Sequence, residues 1–404
     1  MTFVTRYPWV ELRDIVAETQ YGTSRLASAS DGAYPILRMN NITYEGAFAL
    51  DDLKRIDLSE SEVSKHTVRR GDLLFNRTNS PELVGKTAVW DSDESFAFAG
   101  YLVRVRFDEH KACARYVSAF LNSVYGKRML FAAAKPSINM SNISASGLLR
   151  LKVPLPPLAE QKRIAAVLDQ AAVIRRKRRQ TIQNVTEIAP AVFYQMFPHH
   201  GAEPTATLSE LGVEFRYGTS NKSGSTGFPT LRIPNVLAAA LDLTDLKNVP
   251  VEPNEFDRLG LQDGDLLFVR TNGNPDYVGR CAVFDCRIII AADYDPEQFI
   301  YASYLIRGRA DPRVVNPRYV RAFLDTPRGR QMVRTQCRTS AGQYNINTHG
   351  LGSLTIPVPP IQRQNDFAER LEEIGSLEQR VIKGYAESGK LFDTLVHNAL
   401  CGEL

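Results

Sequence analysis

A step of four and three, mostly on apolar residues, runs without a break through two long stretches of the chain. The first visits positions 164, 168, 171, 175, 178, 182, 185, 189, 192 and 196; the second visits 367, 371, 374, 378, 381, 385, 388, 392, 395 and 399. This spacing predicts two long helices, over 155–198 and 358–404, each entered from a proline pair, Pro156-Pro157 or Pro359-Pro360. Their seams ask for a partner: Ile164, Leu168, Ile182, Val185 and Val192 in one, Phe367, Leu371, Ile374, Val381, Phe392 and Leu395 in the other. From Pro157 to His200 seven Lys/Arg face three Asp/Glu, and from Ile361 to Leu404 five face eight. Opposite charge favours a coiled-coil-like helix pair within the chain. The alternative rests each helix on its own domain, with Pro190 bending the first.

The segments before the helices, 1–154 and 199–357, read differently. Short β-branched and aromatic runs such as Leu73 to Phe75, Thr87 to Trp90 and Tyr101 to Phe107 are punctuated by Gly, Asn, Asp and Pro, with one helix near Tyr116 to Phe131. These are compact α+β domains, and they are copies. YGTS at 21–24 recurs at 217–220, YPILRMNNI at 34–42 as FPTLRIPNV at 228–236, and GDLLFNRTN at 71–79 as GDLLFVRTN at 264–272. YLVRVR at 101–106, RYVSAFL at 115–121 and LKVPLPP at 151–157 return as YLIRGR at 304–309, RYVRAFL at 318–324 and LTIPVPP at 354–360. The order is kept and the offset drifts only from 193 to 203 residues. The expected fold class is therefore α+β, two repeated domains separated by two long helices in a pseudo-two-fold arrangement.

Composition narrows the class. Five cysteines scattered at 113, 281, 286, 337 and 401 make no disulfide framework, the N-terminus has no apolar leader core, and no apolar run approaches a membrane span. A cytoplasmic protein that meets no membrane is expected. The net charge of +4 is too small to act as a whole-molecule field. Its distribution is more telling. Between Tyr304 and Arg338 nine arginines face two aspartates, and Tyr101 to Lys135 holds seven basic residues against two acidic ones. That excess is the footprint of a phosphate-contacting surface, for which Lys86, Arg115, Lys127, Arg128, Lys135, Arg280, Arg318, Arg321, Arg328, Arg330, Arg334 and Arg338 are candidates. Arg175 to Arg179 carry two readings side by side, a DNA-facing patch or a structural one, because 175 and 178 are seam positions.

Catalytic fragments do not survive duplication. Gly85-Lys86-Thr87 lacks the earlier glycine of a phosphate loop and reads Gly279-Arg280-Cys281 in the second copy. Asn274-Pro275-Asp276-Tyr277 only partly matches a methyltransferase base-holding motif, and no glycine-rich donor loop accompanies it. Cys281 and Cys286 have no second ligand pair, and His199-His200 sits in a linker. No catalytic residue, metal or cofactor is expected. Repeated instead are polar groups suited to base edges, since Arg can bridge guanine and Asn adenine. In the first copy these are Tyr21, Thr23, Ser24, Arg38, Asn40, Asn41, Arg77, Thr78, Asn79 and Asn142. In the second they are Tyr217, Thr219, Ser220, Arg232, Asn235, Arg270, Thr271, Asn272 and Asn345. The competing reading is that such residues merely close turns.

The junction Leu155-Pro156-Pro157-Leu158-Ala159-Glu160-Gln161-Lys162-Arg163-Ile164, its looser echo Pro359-Pro360-Ile361-Gln362-Arg363-Gln364, and the GDLLF-x-RT strands together resemble the specificity subunits of type I restriction-modification systems. The resemblance spans nearly the whole chain. It implies two target-recognition domains (1–154 and 199–357) held apart by antiparallel spacer helices, and no catalysis by the chain itself. It also implies double-stranded DNA as ligand, and two methyltransferase subunits and restriction (motor-nuclease) subunits as partners. Because the copies differ in their loops, an asymmetric bipartite target is expected. A self-contained methyltransferase or nuclease, and a scaffold that never touches DNA, are the alternatives. Where Glu160-Gln161-Lys162 becomes Arg363-Gln364-Asn365, the second helix's contacts are open.

Overall fold

The computed structural model describes residues 4–80, 83–137, 140–198, 203–237, 241–340 and 342–403, without the side chains of 135–137 and 340. It divides into two units, Met1–Gln180 with Lys383–Leu404, and Thr181–Ile382. Each holds one β-rich body and half of each long helix, which run over Leu158–Met196 and Ile361–Cys401.

The two bodies share one topology. An antiparallel sheet in the order Val16–Tyr21, Leu102–Phe107, Leu73–Asn76, Thr87–Val89 is matched by Glu214–Tyr217, Leu305–Arg309, Leu266–Val269, Cys281–Val283. A three-stranded sheet with one parallel pairing, Tyr34–Leu37 beside Ala97–Phe98, is matched by Phe228–Leu231 beside Ile300–Tyr301. The GDLLF runs lack alternation because this strand is buried on both faces. Leu73 and Phe75 join Tyr116, Phe120, Leu148, Ile164 and Leu168, while Leu74 joins Leu37, Trp90 and Phe98. In the second unit Leu266 and Phe268 pack with Tyr319, Phe323, Phe193 and Phe367, and Leu267 and Val269 with Phe284, Phe299 and Tyr301.

The single helix expected near Tyr116 to Phe131 is two, Ala114–Asn122 and Val124–Ala133, as are their counterparts Pro317–Asp325 and Pro327–Gln336. Ser123 and Thr326 leave helical geometry and cap the next helix by accepting from the amides of Gly126 and Gly329. The reversal is tight: a Cβ on Gly126 would sit 2.2 Å from the Phe120 carbonyl oxygen, and one on Gly329 2.3 Å from that of Phe323.

Within the first unit the long helices pack antiparallel. Ile164 and Leu168 share a core with Leu395, Ala399 and Leu400, Arg175 lies over the Phe392 ring at 5.4 Å, and Arg178 donates to the Gly384 carbonyl at 2.7 Å. In the second unit Val192 and Phe193 pack with Phe367 and Leu371. Every predicted seam residue is buried or half-buried, and the helix continues through Pro190. Arg175 and Arg178 take the structural reading, with their partners on the second helix, while Arg179 reaches Glu45 at 3.7 Å.

The open question at the second junction is answered by the glutamine that Glu160-Gln161-Lys162 and Arg363-Gln364-Asn365 have in common. Gln161, fully buried, accepts from the Cys113 amide at 2.8 Å and donates to the carbonyls of Lys111 and Pro156. Gln364, equally buried, accepts from the Asn316 amide at 2.9 Å and donates to the Pro359 carbonyl. The flanking Glu/Arg and Lys/Asn exchanges leave this pin in place.

Candidate nucleic-acid interface

The RTN segments leave the central strand and pair with a hairpin. Thr78–Asn79 adds to Met140–Asn142 and Lys135–Ser137, and Thr271–Asn272 to Gln343–Asn345 and Arg338–Ser340. Arg77 and Arg270 therefore stand where two sheets meet. Their amides donate to the carbonyls of Tyr101 and Tyr304, and their carbonyls accept from Ile143 and Ile346.

Each guanidinium lies against the tyrosine of the YGTS motif, Arg77 5.1 Å from the Tyr21 ring centre and Arg270 4.8 Å from that of Tyr217. The rings are themselves anchored, since the Tyr21 hydroxyl accepts from the Ala145 amide at 3.0 Å and that of Tyr217 from Thr348 at 3.3 Å. The neighbouring glycines permit this. A Cβ on Gly22 or Gly218 would meet the Ala99 or Tyr301 carbonyl oxygen at 2.3 Å. Tyr101 and Tyr304, exposed beside the same arginines and missed from the sequence, complete an aromatic-rimmed edge in each body. Their signal was the YL that opens both repeated strands. Asn142 and Asn345 lie opposite Thr78 and Thr271, so the repeat brings together Tyr21, Arg77, Thr78, Asn79 and Asn142 in one unit and Tyr217, Arg270, Thr271, Asn272 and Asn345 in the other.

Other candidates are taken up by the fold. Arg38 binds the Asp52 carboxylate and carbonyl, Asn40 donates to the same carboxylate, and Asn41, buried, spans Arg38, Ala49 and Asp52. Arg232 with Asp245 and buried Asn235 with Arg232 and Asp242 repeat the arrangement. These bonds lock the loops and occupy the groups selected as base readers. Thr23 and Thr219 are buried and close turns onto the amides of Arg25 and Asn221, whereas Ser24 and Ser220 are exposed. The Asn79 and Asn272 side-chain oxygens also close local turns, accepting from Ser80 and Asn274.

The counted basic excess is mostly internal or paired. Lys86 is buried with its amine on the carbonyls of Met39 and Ile42, and burial lowers its pKa. Lys127 donates to the Gly85 carbonyl and lies over the Tyr44 ring; burial, with the Lys86 charge nearby, pushes it down to about 8. Arg330 donates to the carbonyls of Asp276 and Val278, Arg280 to that of Asp276, and Arg334 pairs with the Asp276 carboxylate. Arg115 bridges Asp91 and Asp169, Arg321 pairs with Asp325, and Arg318 binds Asp285 and Glu372. Burial opposes ionisation of Asp285, but hydrogen bonds from Arg287 and Arg318 outweigh it and hold the carboxyl at about 2. The strand arginines go the same way, Arg106 and Arg309 gripping buried Asp72 and Asp265 with two hydrogen bonds each. Arg128, Arg328 and Arg338 stay exposed, and the Lys135 side chain lies outside the described residues. Among the described residues Arg77 and Arg270 likewise make no ion pair, and Arg270 donates to the Ser303 carbonyl at 3.2 Å.

Over residues 9–184, the first body and most of the first long helix, the chain matches the family model described as type I restriction modification DNA specificity domain. It is 26% identical over 397 residues to the EcoKI type I restriction enzyme specificity subunit of Escherichia coli (strain K12), covering 93% of this chain and 83% of that protein. Against the StySPI type I restriction enzyme specificity subunit of Salmonella potsdam it is 23% identical over 396 residues, with the same two coverages. Two solved structures share the fold. One comes from a study of complex assembly and conformational transition in a type I restriction-modification system (TM-score 0.59, 15% identity, 100% of both chains). The other is the type I restriction-modification S subunit from M. genitalium (TM-score 0.58, 14% identity, 99% of this chain and 98% of that one).

Proposed function

We propose that the chain is a type I restriction-modification specificity subunit, a reading its likeness to that family supports, and that it reads duplex DNA at an asymmetric bipartite target, two short half-sites flanking an unread spacer. It contributes specificity to a type I complex and no catalysis of its own. The bodies at 1–154 and 199–357 each read one half-site, and the helices at 155–198 and 358–404 serve as spacer. Two methyltransferase subunits and, in the full cytoplasmic complex, restriction subunits dock on it.

One observation carries the DNA-reading part. In both bodies an arginine free of carboxylate partners among the described residues lies over the ring of an anchored tyrosine at an exposed edge. Arg270 spends one Nη1 donor on the Ser303 carbonyl at 3.2 Å; the remaining terminal N–H groups of each guanidinium are left for a guanine O6/N7 edge, on a side chain whose entropy is already spent. Arg128, Arg328 and Arg338 are the phosphate contacts that remain at the surface.

Site selection from random duplexes, with the chain assembled with its methyltransferase subunits, tests this. Arg77→Ala should cost about 1–3 kcal/mol at one half-site and leave the other intact, and Arg270→Ala should do the reverse. Arg328→Ala should weaken all sequences alike and flatten the salt dependence. Unchanged half-site preferences in both the Arg77 and Arg270 variants would refute the assignment.

A further inference from the structure

The two edges share tyrosine, arginine, threonine and asparagine, and differ beside the threonine. In the second unit the Thr271 hydroxyl, on a nearly buried residue, donates to the Gln343 side-chain carbonyl at 2.9 Å. The hairpin also holds this position from the other side, because the Asn345 amide donates to the Gln343 backbone carbonyl at 3.3 Å. Gln343 itself is exposed. The same position of the first hairpin, 203 residues earlier, is Met140, and there the buried Thr78 hydroxyl has no hydrogen-bond partner among the described residues.

We infer that Gln343 is a specificity-determining residue that reads an adenine in the second half-site, with Thr271 as its positioning residue. This rests on the DNA-reading function proposed above. The Thr271 hydroxyl tethers the carboxamide at this edge, donating to its oxygen. It uses one lone pair of that oxygen. The second lone pair and both N–H donors stay available on an exposed side chain. One acceptor beside one donor is the pattern that complements the N6 donor and N7 acceptor of adenine in the major groove. Met140 can offer neither bond, and an apolar side chain there suits a thymine methyl group. The asymmetry of the target then has a definite residue behind it, on a frame that is otherwise duplicated.

The test is site selection with the full chain assembled with its methyltransferase subunits, comparing wild type with Gln343→Met, Gln343→Glu and Thr271→Val. Methionine already occupies this position in the first copy, and the side chain is exposed, so the Gln343 variants leave packing alone. The expected result is loss of adenine preference at one base pair of the second half-site by roughly 5- to 150-fold in Gln343→Met, the range for a bidentate amide–adenine contact. Gln343→Glu, which has acceptors only, should move that base pair towards cytosine, whose N4 donates. Thr271→Val should relax the same base pair with less effect on total affinity. First half-site preferences serve as the internal control and should not change. If the Gln343 variants select the wild-type second half-site, or lose affinity for all duplexes equally, the assignment to Gln343 fails while the DNA-reading function stands. If wild type itself selects no second half-site, both are overturned.

Discussion

Arg77 and Arg270 differ from the other repeated arginines in what holds them. Arg106 and Arg309 are gripped by buried carboxylates and Arg38 and Arg232 by loop carboxylates, whereas the RTN arginines rest on tyrosine rings. Lys127 illustrates the opposite fate of a surface-looking cation. An unfolded lysine titrates near pH 10.4 and this one near 8, so between those values the unfolded chain binds the additional proton. The lowered pKa therefore costs stability below about pH 8, and stability is regained as pH rises through the window. Lys127→Met should raise stability at neutral pH by about 1–3 kcal/mol and remove this part of the rise, measured as the difference between wild-type and variant unfolding free energies from pH 7 to 10. Nothing in the linear order of SVYGKR at 123–128 distinguishes an inward lysine from an outward one. The Lys86 and Lys127 positions were legible as basic, and their burial was not.

At the scale of elements, the buried glutamines Gln161 and Gln364 fasten each long helix to the body it follows. Removing Gln161 leaves a buried amide at Cys113 and carbonyls at Lys111 and Pro156 without their partner. Gln161→Leu should accordingly destabilise the chain by about 2–4 kcal/mol, and Glu160→Ala by well under 1, since that residue's ion pair with Arg163 is near the surface. Thermal unfolding of the two variants decides between pin and ornament. The helices themselves were legible because an apolar step repeated over ten positions admits one conformation. The break at Ser123 was less so, as RYVSAFLNSVYGKRMLF keeps apolar periodicity across it, and only the helix cap and the contact of Gly126 with Phe120 show where the chain turns.

For the whole molecule, the spacer role of the helices is a claim about length. Adding a heptad to each helix, near Gln183 and Arg380, keeps the seam in phase and lengthens each by about 10 Å, some three base-pair steps of 3.4 Å. Site selection with the assembled complex should return the old half-sites with a longer gap, at reduced affinity because added base pairs also rotate the second half-site around the duplex. Recovery of the original gap at full affinity would remove the helices from the measurement. Duplication and two long helices were determined by the sequence alone, because periodicity and repetition are properties of linear order. Which cations remain free for a ligand was decided only by the tertiary structure. Asp72 and Arg106 are 34 residues apart and Asp265 and Arg309 are 44 apart, and a charge reads the same along the chain whether or not folding closes a carboxylate upon it.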